Sequence, residues 1–180
     1  MVEYTVKYLE KGTDKVLAEE ETRTGRTFGE TYTEYPVNVN GYIPEKQSDT
    51  ITLDKESGNE LIFYYNPRTG LSYTVNYLEE GTDKPLGEPK NVDGKTFGES
   101  VTEEAADIPG YNPVAPTEQT ITIELEGNVI NFYYTKRTDL SYTVNYLEKD
   151  TEKVLANAKV VKNQTFKAEV TESAINIDGY

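Results

Sequence analysis

The sequence predicts a tandem array of small α+β units, mostly strand with one short helix in each, on three observations. The first is a 69-residue repeat: YTVKYLEKGTDKVL begins at Tyr4, YTVNYLEEGTDKPL at Tyr73 and YTVNYLEKDTEKVL at Tyr142. The second is the alternation of apolar and polar residues that opens each unit and is typical of a half-buried strand. The third is a Thr-x-x-Glu spacing that is typical of a helix start. Self-similarity at a fixed period indicates an array.

The repeat divides the chain into two whole units and one partial unit. We assign residues 1–70 to the first unit, 71–139 to the second and 140–180 to the third, which lacks counterparts of the closing strands. The partial unit, with no secretion signal and no anchor, leads us to expect a fragment of a longer protein. Compact units on short connectors predict an elongated rod.

Each unit begins with a predicted hairpin. In the first unit Tyr4, Val6 and Tyr8 alternate with polar residues and form the buried face of the first strand. The Gly12-Thr13-Asp14 segment has the composition of a turn, so the chain is expected to reverse there and continue in a second strand over residues 15–22.

A short helix is predicted after the hairpin. Thr96 lies three residues before Glu99, so the Thr can cap a helix start while the Glu reaches back to it. The segment GESVTEEAAD is expected to be helical from Gly98 to Asp107. In the first unit Pro36 interrupts the equivalent segment and predicts a shorter helix.

Two strands are predicted to close each unit, at residues 51–53 and 61–65 in the first. The second of these, LIFYY, is apolar on both faces and predicts a covered central strand. A hairpin, a crossover helix and a central strand beside the first strand follow the order of a β-grasp fold. A small β-sandwich with a helical turn is the alternative.

Composition excludes several classes of function. Without His or Cys the chain has no Ser-His-Asp or Cys-His machinery and no ordinary zinc, haem or iron–sulfur site. A formal net charge of −14 opposes binding to nucleic acid and to anionic membrane surfaces. No apolar run approaches the roughly 18 residues needed to span a bilayer, so we expect no membrane insertion. Acidic pairs are abundant, but small units of short strands offer little cleft for catalysis, and we expect no enzyme.

The residues resemble a known family most closely in the second unit. YTVNYLEEGTDKPL, then KTFGESVTEEAADIPGY, then VINFYYTK are similar to the MucBP (mucin-binding protein) repeat of Gram-positive bacterial surface proteins. This resemblance implies a ubiquitin-like β-grasp module without enzymatic activity, carried in tandem on an extracellular, wall-attached protein. The implied partner is mucin or another host glycoprotein or glycan.

The function expected from this resemblance is adhesion, with tandem units adding weak contacts into avidity. The alternative is a passive stalk that projects another binding domain from the cell wall. Self-association is a third expectation, because the partial unit would leave its first strand with an unpaired edge.

Four tyrosines are candidate ligand contacts, because exposed rings can stack on sugars. Tyr35 has no aromatic counterpart in the other units and has Tyr32 nearby, while Tyr42 and Tyr111 follow Gly before a variable loop. A structural role is the alternative for each of them. We expect no cofactor; calcium at the loop Asp54–Asn59 is the one metal considered, and this loop lacks the full spacing of an EF-hand.

Overall fold

The structure is a computed structural model that describes all 180 residues, and it contains strands and turns but no helix. It therefore has no helix that could cross a membrane. The strands of the first repeat are β1 (Val2–Glu10), β2 (Val16–Arg26), β3 (Thr31–Glu34), β4 (Tyr42–Pro44), β5 (Asp49–Thr52) and β6 (Asn59–Pro67). Those of the second are β7 (Leu71–Glu79), β8 (Lys84–Pro85), β9 (Lys90–Lys95), β10 (Ser100–Glu104), β11 (Tyr111–Pro113), β12 (Glu118–Thr122) and β13 (Val129–Lys136). Those of the third are β14 (Leu140–Leu147) and β15 (Val154–Gln164).

The predicted helix in each repeat is wrong, and the chain is all-β. The Thr-x-x-Glu spacing does form the expected hydrogen bond, in which the Thr96 N–H donates to the Glu99 carboxylate at 3.1 Å. This bond closes a turn and does not begin a helix. Gly98 occupies the third position of this turn with φ +79°, which a right-handed helix does not allow. The β-branched residues that follow then extend as β10, where the helix was expected. The β-grasp assignment, which requires this helix, is not confirmed.

A parallel strand pair organises the first repeat. The sheet order is β2-β1-β6-β4, with β2 and β4 antiparallel to their neighbours and β1 parallel to β6. The predicted hairpin and the predicted pairing of the closing strand with the first strand are both confirmed. β3 and β5 form a separate antiparallel pair.

The core of the first repeat is built from large aromatic side chains. Alternate residues of β1 and β6 face inward, and the pairing aligns Val6 with Leu61 and Tyr8 with Phe63. Leu53 completes the cluster from the end of β5. Ile62 and Tyr64 on the other face of β6 are half-buried, so this central strand is not covered on both faces as predicted. The buried members are Tyr4, Val6, Tyr8, Leu53, Leu61, Phe63 and Tyr65.

The later repeats reuse parts of this pattern. The second has a sheet of order β11-β13-β7-β8, with β9 also pairing with β7, and a separate pair β10-β12. The third has the antiparallel hairpin β14-β15. Because β13 occupies the position of β6, most of the corresponding side chains are buried in the second repeat: Tyr73, Val75, Ile123, Ile130, Phe132 and Tyr134. Tyr77, the counterpart of Tyr8, is only half-buried, and Val101 is buried at the position of Tyr32.

Backbone contacts group the residues into two compact units, and the second repeat contributes to both. One unit comprises residues 1–74, 91–102 and 120–129; the other comprises 75–90, 103–119 and 130–180. As domain boundaries, 1–70, 71–139 and 140–180 stay a prediction.

Inside the first unit, a glycine and an aromatic ring join the first two repeats. Gly41 has φ +80°, and a Cβ built there would lie closer than 3 Å to the ring of Phe97. The same ring meets Tyr42 edge-on, with centroids 5.7 Å apart. The Arg68 N–H donates to the Gly41 carbonyl, and the Arg68 carbonyl accepts the Phe97 N–H, both at 2.8 Å. Only glycine allows this close approach and this φ together.

Inside the second unit, the same arrangement joins the second and third repeats. Phe166 lies over Gly110, whose φ is +85°, and meets Tyr111 at 5.6 Å between centroids. Arg137 bridges the two backbones as Arg68 does, with bonds of 3.0 and 2.8 Å. We call Gly41–Tyr42, Gly110–Tyr111 and Gly179–Tyr180 the Gly-Tyr turns, and Thr27–Glu30, Thr96–Glu99 and Thr165–Ala168 the Thr-Phe turns.

Gly41→Ala is expected to destabilise the protein more than Gly12→Ala. Both positions have φ near +80°, so each Ala costs roughly 1–2 kcal/mol of backbone strain. Gly12 has open space around it, whereas Ala at position 41 must also displace Phe97, which adds about 1–3 kcal/mol. Urea unfolding of both variants measures the difference. Equal losses of stability would contradict the packing of Phe97 on Gly41.

Candidate functional site

The four tyrosines predicted as ligand contacts lie in two settings. Tyr42 and Tyr111 lie in Gly-Tyr turns, and Tyr32 and Tyr35 lie at β3. Burial alternates along β3, so Tyr32 faces the core together with Glu34, while Tyr35 follows the strand and is 69% exposed. The structure brings none of these four rings into contact with another of them. Their role in ligand binding stays a prediction.

The Tyr32 side chain is engaged by its neighbours. Its ring stacks on Tyr4 with centroids 5.8 Å apart, and the Arg26 guanidinium lies 4.9 Å from its centroid, within the range of a cation–π contact. Its hydroxyl donates to Glu30 at 2.8 Å and accepts the Thr27 N–H at 3.1 Å. Tyr32 therefore offers little free surface to a ligand, and Tyr35 is the more accessible of the pair.

A charged cluster surrounds Tyr4. The Tyr4 hydroxyl donates to Glu34 at 2.6 Å, and Arg23 donates to the same carboxylate at 3.0 Å. Burial raises the pKa of Tyr4 to about 12, and the carboxylate that accepts its proton contributes to this rise. Burial opposes ionisation of Glu34 as well, but hydrogen bonds from Tyr4 and Arg23 outweigh it and lower the pKa of Glu34. A neutral phenol held on an ionised carboxylate indicates a structural cluster.

The same carboxylate recurs one and two repeat lengths along the chain. Glu103 accepts from Lys90 at 2.6 Å. Glu172 accepts from Tyr142 at 2.6 Å and from Lys159 at 2.9 Å. Repetition in all three repeats supports a role in the shared fold.

Tyr42 and Tyr111 are half-buried and take part in the joints. Each forms an edge-to-face pair with a phenylalanine ring from the next repeat, at interplanar angles of 74° and 72°. Edge-to-face pairs of this kind contribute roughly 0.5–1.5 kcal/mol beyond the burial of their area. Both tyrosines therefore have a structural role.

The second repeat contains a cleft that the sequence did not predict. Its volume is about 300 Å³. It lies where the end of β7, the segment after β11 and the outward face of β13 meet. The lining residues are Glu80, Val114, Ala115, Pro116, Gln119, Asn131 and Tyr133.

Polar groups of the cleft retain unused hydrogen-bonding capacity. Gln119 Nε2 donates to the Asn131 backbone carbonyl at 2.7 Å, and the Asn131 side-chain oxygen accepts from Asn76 at 2.9 Å. Gln119 Oε1, Asn131 Nδ2, the Glu80 carboxylate and the Tyr133 hydroxyl remain free to bind a ligand. Sugars combine apolar C–H faces with hydroxyls, so a tyrosine ring beside amide and carboxylate groups suits them.

In the first repeat, charged side chains fill the equivalent surface. Lys11 and Glu45 form an ion pair at the positions of Glu80 and Val114, and Asn66 donates to the same carboxylate at 3.3 Å. The remaining hollow measures about 160 Å³. Ile62 replaces the amide of Asn131, while Tyr64 keeps the aromatic ring of Tyr133. The free polar groups are therefore specific to the second repeat.

One sequence signal could have indicated the cleft. Asn131 interrupts an apolar strand where the first repeat has Ile62, and a polar residue at such a position needs a partner or a function. Outside β13, the lining residues come from three other segments, at residue 80, at residues 114–116 and at residue 119, and only the tertiary structure brings these together.

A larger hollow of about 460 Å³ lies along the β1–β2 hairpin, and it suits a sugar less well. Its lining is mainly aliphatic, with Leu9, Val16 and Ala18, and the Tyr8 ring at its base is buried. Lys7 at its rim is already paired with Glu60 at 2.5 Å.

The loop considered for calcium is closed by its own asparagine. The Asn59 side chain accepts the Lys55 N–H at 3.2 Å and donates to the Lys55 and Glu3 carbonyls at 2.9 and 3.2 Å. Asn128 makes the same set of bonds in the second repeat. No group of three acidic residues suited to a metal ion occurs in the structure. Calcium binding stays a prediction.

Comparison with known proteins identifies the second repeat. Residues 73–135 match the MucBP domain family, so the resemblance carried by the sequence is confirmed for the second repeat. The chain is also 28% identical over 123 residues to Internalin J of Listeria monocytogenes serotype 4b (strain F2365). That alignment covers 66% of this chain and 13% of the relative, so the chain spans only a small part of its length.

Two solved structures are similar at low sequence identity. The type 2 repeat of the mucus binding protein MUB from Lactobacillus reuteri is 14% identical, with 76% of this chain and 100% of that chain covered and a TM-score of 0.27. Domains 3-4 of the streptococcal high identity repeats in tandem (SHIRT), from a cell surface protein, are 12% identical, with 75% and 96% covered and a TM-score of 0.28. TM-scores this low carry no argument about a shared fold.

The Tyr4 cluster predicts a loss of stability at alkaline pH. The unfolded chain releases the Tyr4 proton near pH 10, whereas the folded protein holds it to about pH 12. The contribution of this proton to the free energy of unfolding is therefore fully present below pH 10 and is lost as the pH rises to 12. Tyr4→Phe should reduce the slope of unfolding free energy against pH by up to about 1.4 kcal/mol per pH unit in this window. Urea unfolding from pH 8 to 11.5 measures the slope.

The control is Tyr35→Phe, which removes a hydroxyl that is exposed to solvent. Its slope should equal that of the wild type. A Tyr4→Phe slope that also equals the wild type would contradict the assigned role of the Tyr4–Glu34 bond.

Proposed function

We propose that this chain is a non-enzymatic adhesion module of a bacterial surface protein and that it binds sugars of mucin-type host glycoproteins. The observation that carries the proposal is the cleft at Tyr133, which lies within the MucBP domain and has free amide, carboxylate and hydroxyl groups. The match of residues 73–135 to the MucBP domain family supports it. An extracellular position and attachment to the cell wall of the parent protein belong to the same proposal.

Charge narrows the kind of sugar. The chain carries a net charge of −14, and Glu80 adds a carboxylate at the cleft itself. Sialylated or sulfated glycans would be repelled at low salt, so neutral sugars are the proposed ligands of this cleft. Contact with one ring and a few hydrogen bonds is weak, and tandem repeats would raise the overall affinity through effective concentration.

Tyr35 is the second proposed contact. It is exposed and lies in the first repeat, so it would be a contact separate from the Tyr133 cleft. Tyr32, Tyr42 and Tyr111 stay candidates of lower accessibility, because their rings already contact other side chains.

A passive stalk is the second candidate function, and the joints favour it. Phe97 on Gly41 and Phe166 on Gly110 tie each repeat to the next through the same backbone bonds, as a spacer requires. A stalk needs these joints but no free polar groups at Tyr133.

Binding of the full chain to immobilised mucin tests the proposal, with native and enzymatically deglycosylated mucin, each with calcium and with a chelator. Tyr133→Ala should weaken binding about five-fold, which corresponds to roughly 1 kcal/mol for one aromatic contact. Tyr64→Ala is the matched control, because it removes the equivalent ring where ion pairs fill the surface, and it should change binding little. Tyr35→Ala tests the second contact.

Each outcome decides between the candidates. Binding that disappears on deglycosylation and falls in Tyr133→Ala supports adhesion through the cleft. Equal losses in Tyr133→Ala and Tyr64→Ala would contradict the cleft. A folded wild type that binds no form of mucin would favour the stalk. Loss of binding in the presence of the chelator would indicate that a bridging cation takes part in binding.

A further inference from the structure

The hollow along the β1–β2 hairpin has an apolar wall and an acidic rim. Its volume is about 460 Å³, and Leu9, Val16 and Ala18 line the apolar part. Val16 is 68% exposed although its side chain is apolar. Glu19 and Glu20 line the same hollow, and neither carboxylate makes a hydrogen bond or an ion pair.

A β-bulge places these two glutamates next to each other at the sheet edge. The pairing of β1 with β2 shifts its register between Val6 and Tyr8. Two residues of β2, Glu19 and Glu20, therefore stand opposite the single residue Lys7. A bulge of this kind re-aims side chains, and both glutamates are exposed on the outermost strand of the sheet.

The charge at this hollow is negative. Lys7 is the one cation among the lining residues, and Glu60 pairs with it at 2.5 Å. The pKa of Lys7 is raised, chiefly by this hydrogen bond, and the charge of Glu20 adds to the rise. Because Glu60 already offsets Lys7, Glu19 and Glu20 contribute two uncompensated negative charges.

The exposure of the hollow does not depend on where the chain begins. The hollow lies at the opposite end of β1 from Val2. In the second repeat, which has a repeat on either side in the sequence, the counterparts Pro85, Gly87 and Glu88 are exposed as well. The hairpin surface is therefore also open where a repeat precedes it.

The third repeat keeps the apolar wall and lacks the two charges. Its β14–β15 hairpin has the same pairing register as β1–β2, including the bulge. Asn157 and Ala158 stand where the first repeat has its glutamate pair, and the second repeat has only Glu88 there. The pair is therefore a feature of the first repeat. The corresponding wall residues of the third are Leu147, Val154 and Ala156.

We propose that the hollow of the first repeat binds a lysine or arginine side chain from a basic peptide segment of a partner protein. Such side chains lay their methylene stems along apolar surface and keep the charged group at the rim. Leu9 and Val16 contact the stem, and Glu19 and Glu20 accept hydrogen bonds from the charged group. The net charge of −14 steers a cationic polypeptide towards the chain. This partner is distinct from the neutral sugars proposed for the Tyr133 cleft.

Nuclear magnetic resonance of the full chain with capped tri-lysine tests the proposal. About 0.15 M NaCl screens weaker attraction to the rest of the acidic surface. In ¹H–¹⁵N spectra, the signals of Val16 and Ala18 should shift with a Kd on the order of 1 mM, as for a small ligand with few contacts. The signals of Val154 and Ala156 should not shift, so the third repeat is a control within the same molecule.

Two double variants separate the site from the overall charge. Glu19→Asn with Glu20→Ala gives the first repeat the residues of the third, and it should weaken binding about five-fold through the loss of two exposed ion pairs. Asp54→Asn with Glu56→Ala is the matched control, because it removes two exposed charges from a loop of the same repeat and should change binding little. Val16→Thr keeps the size of the side chain but adds a hydroxyl to the wall, and it should weaken binding about two-fold.

A gain of binding in the third repeat is the converse test. Asn157→Glu with Ala158→Glu should make the signals of Val154 and Ala156 shift on addition of tri-lysine. If these signals stay unchanged, the role assigned to the glutamate pair is contradicted.

The proposal is overturned if tri-lysine leaves the signals of Val16 and Ala18 unshifted in the wild type. Equal losses in the glutamate double variant and in its loop control would indicate attraction to net charge alone and would equally overturn it. Full binding by Val16→Thr would contradict the apolar wall. Shifts of the same size with tri-lysine whose amines are acetylated would contradict recognition of a cation.

Discussion

The parallel pairing of the first and closing strands is the constraint on which the rest of each whole repeat depends. β1 and β6 run side by side in one direction, so the 48 residues between them must carry the chain back across the repeat. The strands β2 to β5 are this return path, and the buried tyrosines of β1 and β6 hold its two ends together. Because only three residues separate β6 from β7, the next repeat starts where the previous one closes. Arg68, within that short connection, reaches both neighbours through its backbone.

The sequence predicted the strands correctly wherever the periodicity of the side chains is enough to determine the structure. Tyr4, Val6 and Tyr8 alternate as a half-buried strand must, and each is buried. The prediction of a helix was wrong because a capping-box spacing is compatible with a turn as well as with a helix. Gly98 has a positive φ, which is compatible with the turn only. Local spacing could not distinguish the two, since the strand that follows gains its stability from pairing with β12, which lies further along the chain.

The candidate site could be predicted only in part, for a related reason. An exposed aromatic such as Tyr35 is visible as a residue that the common core does not require. The cleft around Tyr133 depends on Glu80 and Gln119, which lie far from it in the sequence. Few substitutions distinguish this surface between the repeats. The same strand arrangement carries an ion pair at Lys11 and Glu45 in the first repeat and free polar groups in the second. Core and joint residues recur between repeats, while surface residues diverge.

The joints have a consequence for how such proteins change over generations. Each joint uses one Gly-Tyr turn, one Thr-Phe turn and the backbone of a connecting arginine. A whole repeat could therefore be duplicated, deleted or exchanged by recombination at its boundaries without creating a new interface. Array length and surface specificity become separate variables, open to selection one repeat at a time.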